Sequence, residues 1–362
     1  MTTLAPDRIE DVVAAVRGHL RVAPHGARTK RPLVPDDADA VRLDLTSLAG
    51  VVEYDPGEYT FTALAGTRLA EIEALLAGNG QYLPFDPPFA AAGATLGGTV
   101  AAGLNGSGRL RYGGIRDFII GVRLVDGTGR LVRGGGKVVK NAAGFDLPKL
   151  MIGSMGRLGV MVELSFKVFP APPAWRTLRV TCADIGDAAA LVARLGRLPL
   201  DIEALDIEPP DTVVLRVSGD DASVDAHAAR VGTATGRPYT VETGEAEARY
   251  WREQRAFDWA PSDGRLVKVP ISLRRLVELE RTLAALDVPR RYGVAANVAW
   301  IAWPADRPLA ELELRGLNGL VVRGPEPDGA SPWVGPAATG AAVFAERVKA
   351  ALDPHGRLPA LV

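Results

Sequence analysis

The 362-residue sequence contains one cysteine, Cys182, and this near-absence excludes several kinds of site. A single thiol cannot form an intrachain disulfide, and it cannot by itself hold an iron–sulfur cluster or a cysteine-based zinc ion. The four histidines are scattered, and no two stand at the spacing of metal ligands; they are His19, His25, His227 and His355. We therefore expect no metal site in this chain.

Strong charge and long apolar runs are also lacking. The formal net charge is -1, which gives no reason to expect binding to nucleic acid or to an anionic membrane. The N-terminal region has no apolar secretory segment, and the short run Val12–Val16 cannot cross a bilayer. These absences predict a cytoplasmic protein that binds no nucleic acid and does not insert directly into a membrane.

Two well-known phosphate-binding motifs are missing as well. The P-loop pattern does not occur, and neither does the Rossmann fingerprint G-x-G-x-x-G. Gly106-Ser107-Gly108 begins like the fingerprint, but Arg111 stands where the third glycine belongs. No acidic residue follows at the distance that would bind a ribose. The commonest architecture for binding NAD or FAD is therefore disfavoured.

Glycine is instead concentrated in two segments, and their positions point to a ligand. The first is the Gly/Thr-rich run Gly93–Gly103, which we interpret as a turn, and the second is Gly144–Val160. A strand leading into the turn Pro24–Lys30 is a third place where backbone amides could meet a phosphate. Glycine allows close approach of chain and phosphate, and free N–H groups supply donors. A single run of this kind is also compatible with a tight turn between packed elements, but the combination predicts a dinucleotide.

The order of helix-like and strand-like patterns predicts an α+β protein of three parts. Residues 1–172 alternate short strands and helices, and the prolines Pro170, Pro172 and Pro173 mark a boundary. Residues 173–335 read as strand–helix–strand twice over on an antiparallel sheet, which is a ferredoxin-like plan. Residues 336–362 form a C-terminal helix and tail.

At the level of motifs, the sequence resembles the FAD-binding domain of the p-cresol methylhydroxylase / vanillyl-alcohol oxidase (PCMH/VAO) family. The matching segments are Asp86-Pro87-Pro88, Gly93–Ala101, Asp117–Val122 and Gly153–Val160 followed by Glu163. Within the family, Lys137–Asp146 and the terminal Asp353–Leu358 resemble the smaller flavin-binding (E) subunits of bacterial glycolate oxidases. The resemblance implies a two-subdomain PCMH/VAO-type FAD-binding domain, followed by a smaller ferredoxin-like cap domain over the isoalloxazine ring.

The resemblance also implies which residues contact FAD. The first turn should lie against the pyrophosphate, the Gly/Thr run should flank the pyrophosphate and ribityl chain, and Gly159 with Val160 should approach the adenosine end. The full set is Pro24, His25, Gly26, Ala27, Arg28, Thr29, Pro87, Gly93, Ala94, Thr95, Gly97, Gly98, Thr99, Ala102, Gly103, Asp117, Lys140, Gly144, Gly159 and Val160. For three of these another interpretation stays open: His25 as a packing residue, Asp117 as the residue that fixes the start of a strand, and Lys140 as a solvated loop residue.

The attachment of the flavin can also be predicted. Relatives with covalent flavin use a histidine of the first phosphate turn that comes after the glycines. In this sequence His25 follows Pro24 and precedes Gly26, and Arg28 occupies the linking position. We therefore predict non-covalent FAD.

The function implied by the resemblance is that of an FAD-binding subunit of a glycolate oxidase (glycolate dehydrogenase) complex. A larger FAD-containing subunit would oxidise glycolate to glyoxylate, and an iron–sulfur subunit would receive the electrons. Contact with a membrane would then be made only through the complex. Related 2-hydroxy-acid dehydrogenases carry a histidine-rich metal or base site, and no such stretch stands here, so no catalytic residue is assigned.

Two other functions remain open. One is a self-sufficient FAD-dependent dehydrogenase or oxidase of a small 2-hydroxy acid, whose catalytic groups would come from the cap domain. The candidates there are Tyr250, Arg252, Lys268, Tyr292 and Arg315. The other is a redox-silent structural subunit that is stabilised by its flavin.

Overall fold

The computed structural model describes residues 2–34, 37–136, 146–325, 331–336 and 342–361. These residues form two lobes. The first lobe contains the elements up to residue 170 together with the C-terminal segment, and the second lobe contains residues 174–334.

The first lobe combines short strands with mostly short helices. Its strands are β1 (Thr3–Leu4), β2 (Val22–His25), β3 (Val41–Asp44), β4 (Val51–Asp55), β5 (Thr60–Leu64), β6 (Gln81–Tyr82), β7 (Ile119–Val125), β8 (Leu131–Gly135), β9 (Val160–Lys167) and β10 (Phe169–Pro170). Its helices are α1 (Ile9–Gly18), α2 (Leu69–Ala77), α3 (Leu96–Ala102), α4 (Arg109–Tyr112), α5 (Ile115–Phe118) and α6 (Leu147–Leu150). Two 3-10 turns, Arg31–Leu33 and Leu45–Ser47, complete this set.

The second lobe has longer strands. They are β11 (Ala174–Thr181), β12 (Ala204–Glu208), β13 (Thr212–Gly219), β14 (Tyr239–Thr243), β15 (Arg265–Pro270), β16 (Arg290–Gly293), β17 (Val298–Trp303), β18 (Gly319–Arg323) and β19 (Trp333–Val334). The helices of this lobe are α7 (Ile185–Leu195), α8 (Val224–Thr235), α9 (Gly244–Ala256) and α10 (Leu273–Ala285), and α11 (Ala342–Leu352) follows it.

Two sheets build the first lobe. A parallel sheet has the order β1-β3-β2, and an antiparallel sheet has the order β4-β5-β9-β7-β8. Strand β9 shows why the sheet forms here: Val160, Val162, Leu164 and Phe166 alternate along it and are all fully buried. Period-two alternation places these side chains on one face of the sheet, where their burial stabilises the pairing. The alternation predicted for this segment is confirmed.

The Gly/Thr run differs from its predicted form, because part of it is the helix α3 and not a turn. The Thr95 hydroxyl caps the helix by accepting a hydrogen bond from the Gly98 N–H (3.2 Å), and Gly103, with φ +63°, ends it. Glycine disfavours helices by about 1 kcal/mol relative to alanine, so the local sequence argued against this element. Tertiary packing outweighs this low helix propensity. Helix α3 lies so near Ala65 that a Cβ on Gly97 would be only 2.8 Å from the Cβ of Ala65.

The second lobe consists of two ferredoxin-like halves in one continuous sheet. Strand order is β14-β11-β13-β12 in the first half and β16-β17-β15-β18 in the second, with β19 at the edge. The halves join where β12 pairs with β16 through Ile207 and Tyr292. In the second half the 3-10 turn Leu309–Glu311 stands where the first half has helix α8. The repeated strand–helix–strand plan predicted from the sequence is present.

The C-terminal segment returns to the first lobe. The Val22 N–H donates to the Arg357 carbonyl (2.7 Å), and the Gly127 N–H donates to the Leu352 carbonyl (2.8 Å). Leu358 is buried in the core cluster that contains the apolar face of α1. Although the sequence suggested a separate tail, residues 342–361 contribute directly to the first lobe.

Lys349 holds the C-terminal segment against the first lobe. Its ammonium group donates to the Asp353 carboxylate (2.7 Å) and to the carbonyls of Arg157 (2.8 Å), Pro359 (3.0 Å) and Leu358 (3.2 Å). Burial lowers the pKa of Lys349, while its pairing with the buried Asp353 opposes that shift. One cation therefore ties the end of α11, the last turn of the chain and the loop before β9 to each other.

Two further findings concern the described ranges as a whole. None of their helices combines the length and the apolar character that a membrane crossing requires. Nor do they contain a group of three or more histidine, cysteine or acidic side chains that could hold a metal ion.

The contacts of Lys349 generate a first prediction. Lys349→Met should lower the free energy of unfolding by about 2–4 kcal/mol, because the buried Asp353 carboxylate and three carbonyls lose their donor. Urea denaturation measures the loss. The control is Lys149→Met, which removes an ion pair with Asp146 (2.7 Å) whose side chains are 43% and 51% exposed. That change should cost no more than about 1 kcal/mol, and equal losses in the two variants would contradict the role of Lys349.

Candidate functional site

A cleft with about 750 Å³ of open space lies in the first lobe. Three stretches form its walls: the turn after β2, helix α3 and the approach to β9. The lining residues are Pro24, His25, Gly26, Ala27, Arg28, Thr29, Lys30, Arg31, Leu33, Val34, Leu45, Ala65, Thr95, Gly97, Gly98, Ala101, Ala102, Met155, Gly156, Gly159 and Met161.

The turn after β2 supplies free backbone donors. Strand β2 is buried along its whole length and directs the chain into the cleft, and Arg28 then adopts a left-handed conformation with φ +55°. Within the described ranges, the backbone N–H groups of Ala27, Thr29 and Lys30 donate to no carbonyl or side-chain acceptor. Consecutive N–H groups in a turn of this kind form a concavity suited to an anion.

Helix α3 contributes differently from what the sequence suggested. The N–H groups of Leu96 and Gly97 donate to the carbonyls of Thr67 (2.9 Å) and Ala65 (2.8 Å), and the Gly98 N–H donates to the Thr95 hydroxyl. These amides are therefore already used inside the protein, and the expectation that this run offers free amides is not met for them. What the glycines of α3 provide is a wall without side chains.

The cleft brings together most of the residues predicted to contact FAD. Those in its wall are Pro24, His25, Gly26, Ala27, Arg28, Thr29, Thr95, Gly97, Gly98, Ala102 and Gly159. The wall does not include Pro87, Gly93, Ala94, Thr99, Gly103, Asp117 or Val160. Lys140 and Gly144 lie outside the described residues.

Several of the residues outside the wall have clear structural roles. The Asp117 carboxylate accepts from the Gly114 N–H (2.9 Å) and caps α5, which agrees with its alternative interpretation. Thr99 is buried within α3, and Val160 is buried against the face of α1. Each of these side chains is engaged in packing or capping, so the predicted contact with FAD has no support from the cleft geometry.

Sequence reasoning missed ten residues of the wall: Lys30, Arg31, Leu33, Val34, Leu45, Ala65, Ala101, Met155, Gly156 and Met161. The first two simply continue the predicted turn. Gly156 belongs to the second glycine segment, has φ +73°, and would place a Cβ 2.7 Å from the Cγ of Pro24. The sequence signal was the glycine itself, because glycine is the residue that readily adopts a positive φ and permits such a close approach.

A second cavity, with about 640 Å³ of open space, lies between the two lobes. Residues of the first lobe line one side: Asp86, Pro88, Asn105, Gly106, Ser107 and Arg109. Residues of the second lobe line the other: Asp206, Trp251, Gln254, Arg255, Phe257, Trp259, Lys268, Arg291, Gly293, Val294, Val298 and Trp300. Sequence reasoning named Lys268 as a candidate but did not foresee the rest of this cavity, because it forms only where the lobes meet.

Asp206 connects the two sides of the second cavity. Its carboxylate accepts a hydrogen bond from the Ser107 hydroxyl of the first lobe and another from the Val294 N–H (3.0 Å) of the second. Burial raises the pKa of Asp206 to about 7, although both hydrogen bonds oppose the rise. A carboxyl group in this position exchanges its proton close to neutral pH.

Four cationic side chains line the cavity, and two of them, Arg255 and Arg291, pair with glutamates. Burial and, to a smaller extent, the nearby Arg109 guanidinium lower the pKa of Lys268 to about 8. In the described part of the chain neither Lys268 nor Arg109 forms an ion pair. The cavity thus places two cations without counter-charges beside a carboxyl group that titrates near neutrality, a combination suited to a small carboxylic acid.

Of the five candidate catalytic residues named from the sequence, only Lys268 lines this cavity. The hydroxyl groups of Tyr250 and Tyr292 each donate to a glutamate, at 3.1 Å and 2.6 Å respectively. Arg252 and Arg315 have half-exposed side chains on the surface of the second lobe. The structure therefore does not bring these four residues to either cavity.

The geometry agrees with comparisons to known proteins. Residues 3–135 match the family described as FAD binding domain, a match that includes the turn after β2 and helix α3. The whole chain is similar in structure to p-cresol methylhydroxylase with substrate bound, with a TM-score of 0.73, 17% sequence identity, and coverage of 98% of this chain and 88% of that chain. The protein accordingly has the PCMH/VAO-type fold and an FAD binding domain, as the sequence motifs predicted.

Two curated relatives indicate more specifically which FAD-dependent proteins the chain is similar to. The chain is 43% identical over 184 residues to "Glycolate oxidase subunit GlcE" of Escherichia coli (strain K12), which covers 51% of this chain and 52% of that protein. It is 31% identical over 212 residues to "D-lactate dehydrogenase" of Anaerostipes hadrus, which covers 57% of this chain and 44% of that protein. The chain thus spans about half the length of these relatives.

The first cavity fits FAD on structural grounds. Its free N–H groups at Ala27, Thr29 and Lys30 are donors for a phosphate, and the side-chain-free wall of α3 allows a bulky ligand to approach. A Cβ on Gly98 would lie 2.9 Å from the Thr95 hydroxyl oxygen, so this part of the wall tolerates no side chain. The cleft, rather than the cavity between the lobes, contains the residues expected to hold the dinucleotide.

Gly98→Val tests this assignment. The new side chain would collide with Thr95 and project from the cleft wall, and overpacking of this kind costs about 1–3 kcal/mol. We expect FAD affinity to fall at least about tenfold, measured by titrating the apo-protein and following visible flavin absorbance. Denaturation of the wild-type protein should release its FAD, since attachment is expected to be non-covalent. In the control Gly18→Val, where a Cβ has open space around it, FAD binding should be unchanged. Normal FAD binding by Gly98→Val would refute the assignment.

The raised pKa of Asp206 generates a pH-dependent prediction. Because the folded-state pKa lies above that of an unfolded aspartate, the fold favours the protonated carboxyl, and the wild-type protein should lose stability as pH rises from about 4 to about 7. Asp206→Asn keeps a neutral side chain, so relative to wild type it should gain about 2–3 kcal/mol between pH 5 and pH 8. Urea denaturation at both pH values measures this gain. Asp201→Asn, at a position 69% exposed, should show no such gain, and a pH-independent difference for Asp206→Asn would contradict the argument.

Proposed function

We propose that this protein is an FAD-containing subunit of a complex that oxidises glycolate to glyoxylate, and that its FAD relays electrons to an iron–sulfur partner. The observation that carries the proposal is the FAD-binding cleft in a chain 43% identical to a protein named as a glycolate oxidase subunit. A larger FAD-containing subunit would oxidise the glycolate. These 362 residues contain one cysteine and cannot by themselves ligate an iron–sulfur cluster, so the proposal assigns the cluster to a partner.

The residues of the cleft would hold the cofactor in two ways. The amides of the turn after β2, together with the Arg28 and Arg31 side chains that line the cleft, would bind the pyrophosphate. The glycines of α3 would let the dinucleotide lie against the helix. When bound, FAD supplies a carrier that accepts a hydride or single electrons. The protein contributes binding, orientation and a surrounding of fixed charge.

A second candidate function is favoured by the cavity between the lobes. Lys268 and Arg109 would hold the carboxylate of a small 2-hydroxy acid, and the ionised Asp206 would accept the proton of its hydroxyl group. The similarity to a D-lactate dehydrogenase is in line with this possibility. Under this candidate the chain would oxidise its own substrate without a second flavin subunit.

One experiment separates the candidates. Glycolate, D-lactate and L-lactate are each added anaerobically to the FAD-loaded chain, alone and together with its partner subunits, while the absorbance of oxidised flavin is recorded. We expect loss of that absorbance with glycolate only when the partners are present. Loss with substrate alone would establish the self-sufficient dehydrogenase. A flavin that stays oxidised in the turning-over complex would indicate a redox-silent structural subunit and would refute both candidates.

The Lys268→Met variant adds a second way to distinguish the two candidates in the same experiment. If the chain only relays electrons, the flavin should be reduced in the complex at the wild-type rate. If the chain oxidises its own substrate, the loss of this cation should raise the substrate concentration for half-maximal reduction at least tenfold, which corresponds to about 1.4 kcal/mol. Lys149→Met, on the surface of the first lobe, is the matched control and should change neither value.

A further inference from the structure

The ammonium group of Lys30 stands out among the charged groups of the cleft. Lys30 follows the phosphate-binding turn, and its side chain lines the cleft wall. The Nζ atom donates a hydrogen bond to the Thr29 hydroxyl (3.0 Å) and lies 5.3 Å from the centre of the Phe89 ring. Both contacts orient the cation, but neither neutralises its charge.

The surroundings of the Lys30 ammonium group disfavour its charge unless an anion is close by. Burial lowers the pKa of Lys30 to about 8, so the protein interior disfavours the charged form. Among the residues that the structure describes, no carboxylate pairs with it. By exposed surface area Lys30 is half-buried. A desolvated charge is normally paired, and one that lines a ligand cleft without a carboxylate is expected to find its counter-charge in the ligand.

The position of Phe89 shows which end of the cleft Lys30 occupies. The Phe89 ring packs against Phe257 of the second lobe with 5.0 Å between ring centres, and the Phe89 N–H donates to the carbonyl of Arg255 (3.1 Å). Phe257 also lines the cavity between the lobes. Lys30 is therefore on the side of the cleft that faces the second lobe, the domain that the family resemblance places over the isoalloxazine ring.

We propose that Lys30 provides the counter-charge for the isoalloxazine ring of bound FAD and favours its reduced form. Uptake of two electrons and one proton gives the ring one more negative charge than it has when oxidised. A nearby cation stabilises that charge, and charge close to the ring is a recognised means of tuning a flavin. This inference rests on the proposed redox role of the bound FAD, but its test does not require turnover of any substrate.

The measurement is the two-electron midpoint potential of the FAD-loaded full chain, determined by anaerobic titration against a reference dye. Lys30→Met should weaken the binding of reduced FAD at least tenfold relative to the binding of oxidised FAD. This change makes the midpoint potential about 30 mV more negative. Lys30→Arg keeps the charge and should restore most of the difference. The matched control is Lys167→Met, which removes a cation 5.5 Å from the centre of the Phe118 ring, outside both cavities, and should leave the potential unchanged.

A second arm separates the ring from the pyrophosphate, the other anionic part of FAD. ADP carries a pyrophosphate but no flavin, so its affinity for the apo-protein should be the same in wild type and Lys30→Met. An unchanged potential combined with weaker ADP binding would assign Lys30 to the pyrophosphate and overturn the proposal. An unchanged potential with unchanged ADP binding would also overturn it. Should Lys30→Met fail to retain FAD, unchanged ADP binding would support the proposal and weakened ADP binding would overturn it.

The folding of the variants is checked independently. The urea midpoint of each apo-protein is measured, and Lys30→Gln replaces Lys30→Met if the latter is destabilised. Failure of this proposal is distinguishable from failure of the proposed function. A flavin that is reduced in the complex but whose potential does not depend on Lys30 leaves the relay intact, whereas a potential that shifts in a flavin never reduced by the complex refutes only the relay.

Discussion

The close approach of two glycines to the Thr95 hydroxyl group is the constraint on which the cleft depends. This hydroxyl accepts the Gly98 N–H and so begins helix α3, while the turn after β2 passes directly against it at Gly26. A Cβ on either glycine would collide with Thr95. The same contacts bring both walls of the cleft together and exclude a side chain at Gly26 and at Gly98. The glycine pattern is thus a requirement of protein packing first, and the opening for a dinucleotide follows from it.

The junction between the lobes sets the chemistry of the second cavity. Asp206 reaches across it to Ser107, and the Arg255 guanidinium pairs with Glu73 of the first lobe at 2.9 Å. These polar contacts add to apolar packing across the junction, because one core cluster contains residues of the first lobe together with Phe257 and Trp300 of the second. Because the cavity lies at their junction, its carboxyl group and cations are desolvated together, and this common burial moves the pKa values of Asp206 and Lys268 toward neutrality from opposite sides.

Elements with strong local patterns were predictable, and elements that depend on packing were not. The alternation in β9 and the repeated strand–helix–strand order of the second lobe were evident, because burial of one face leaves a period in the sequence. Helix α3 was interpreted as a turn because its two glycines are poor helix formers, and its contact with Ala65 lies about thirty residues away along the chain. The return of the C-terminal segment to β2 joins residues more than three hundred positions apart, which no local pattern reports.

The sequence by itself determined the class of ligand and of fold, because glycine spacing and the family motifs are local properties of the chain. It also determined that these 362 residues cannot by themselves ligate an iron–sulfur cluster, since they contain one cysteine. Only the tertiary structure decided that the N–H groups of Ala27, Thr29 and Lys30 are free and those at the start of α3 are not. It also decided that Lys30 is half-buried with no carboxylate partner among the described residues. Hydrogen-bond satisfaction and burial are set by residues distant in sequence, so these properties exist only once the chain is folded.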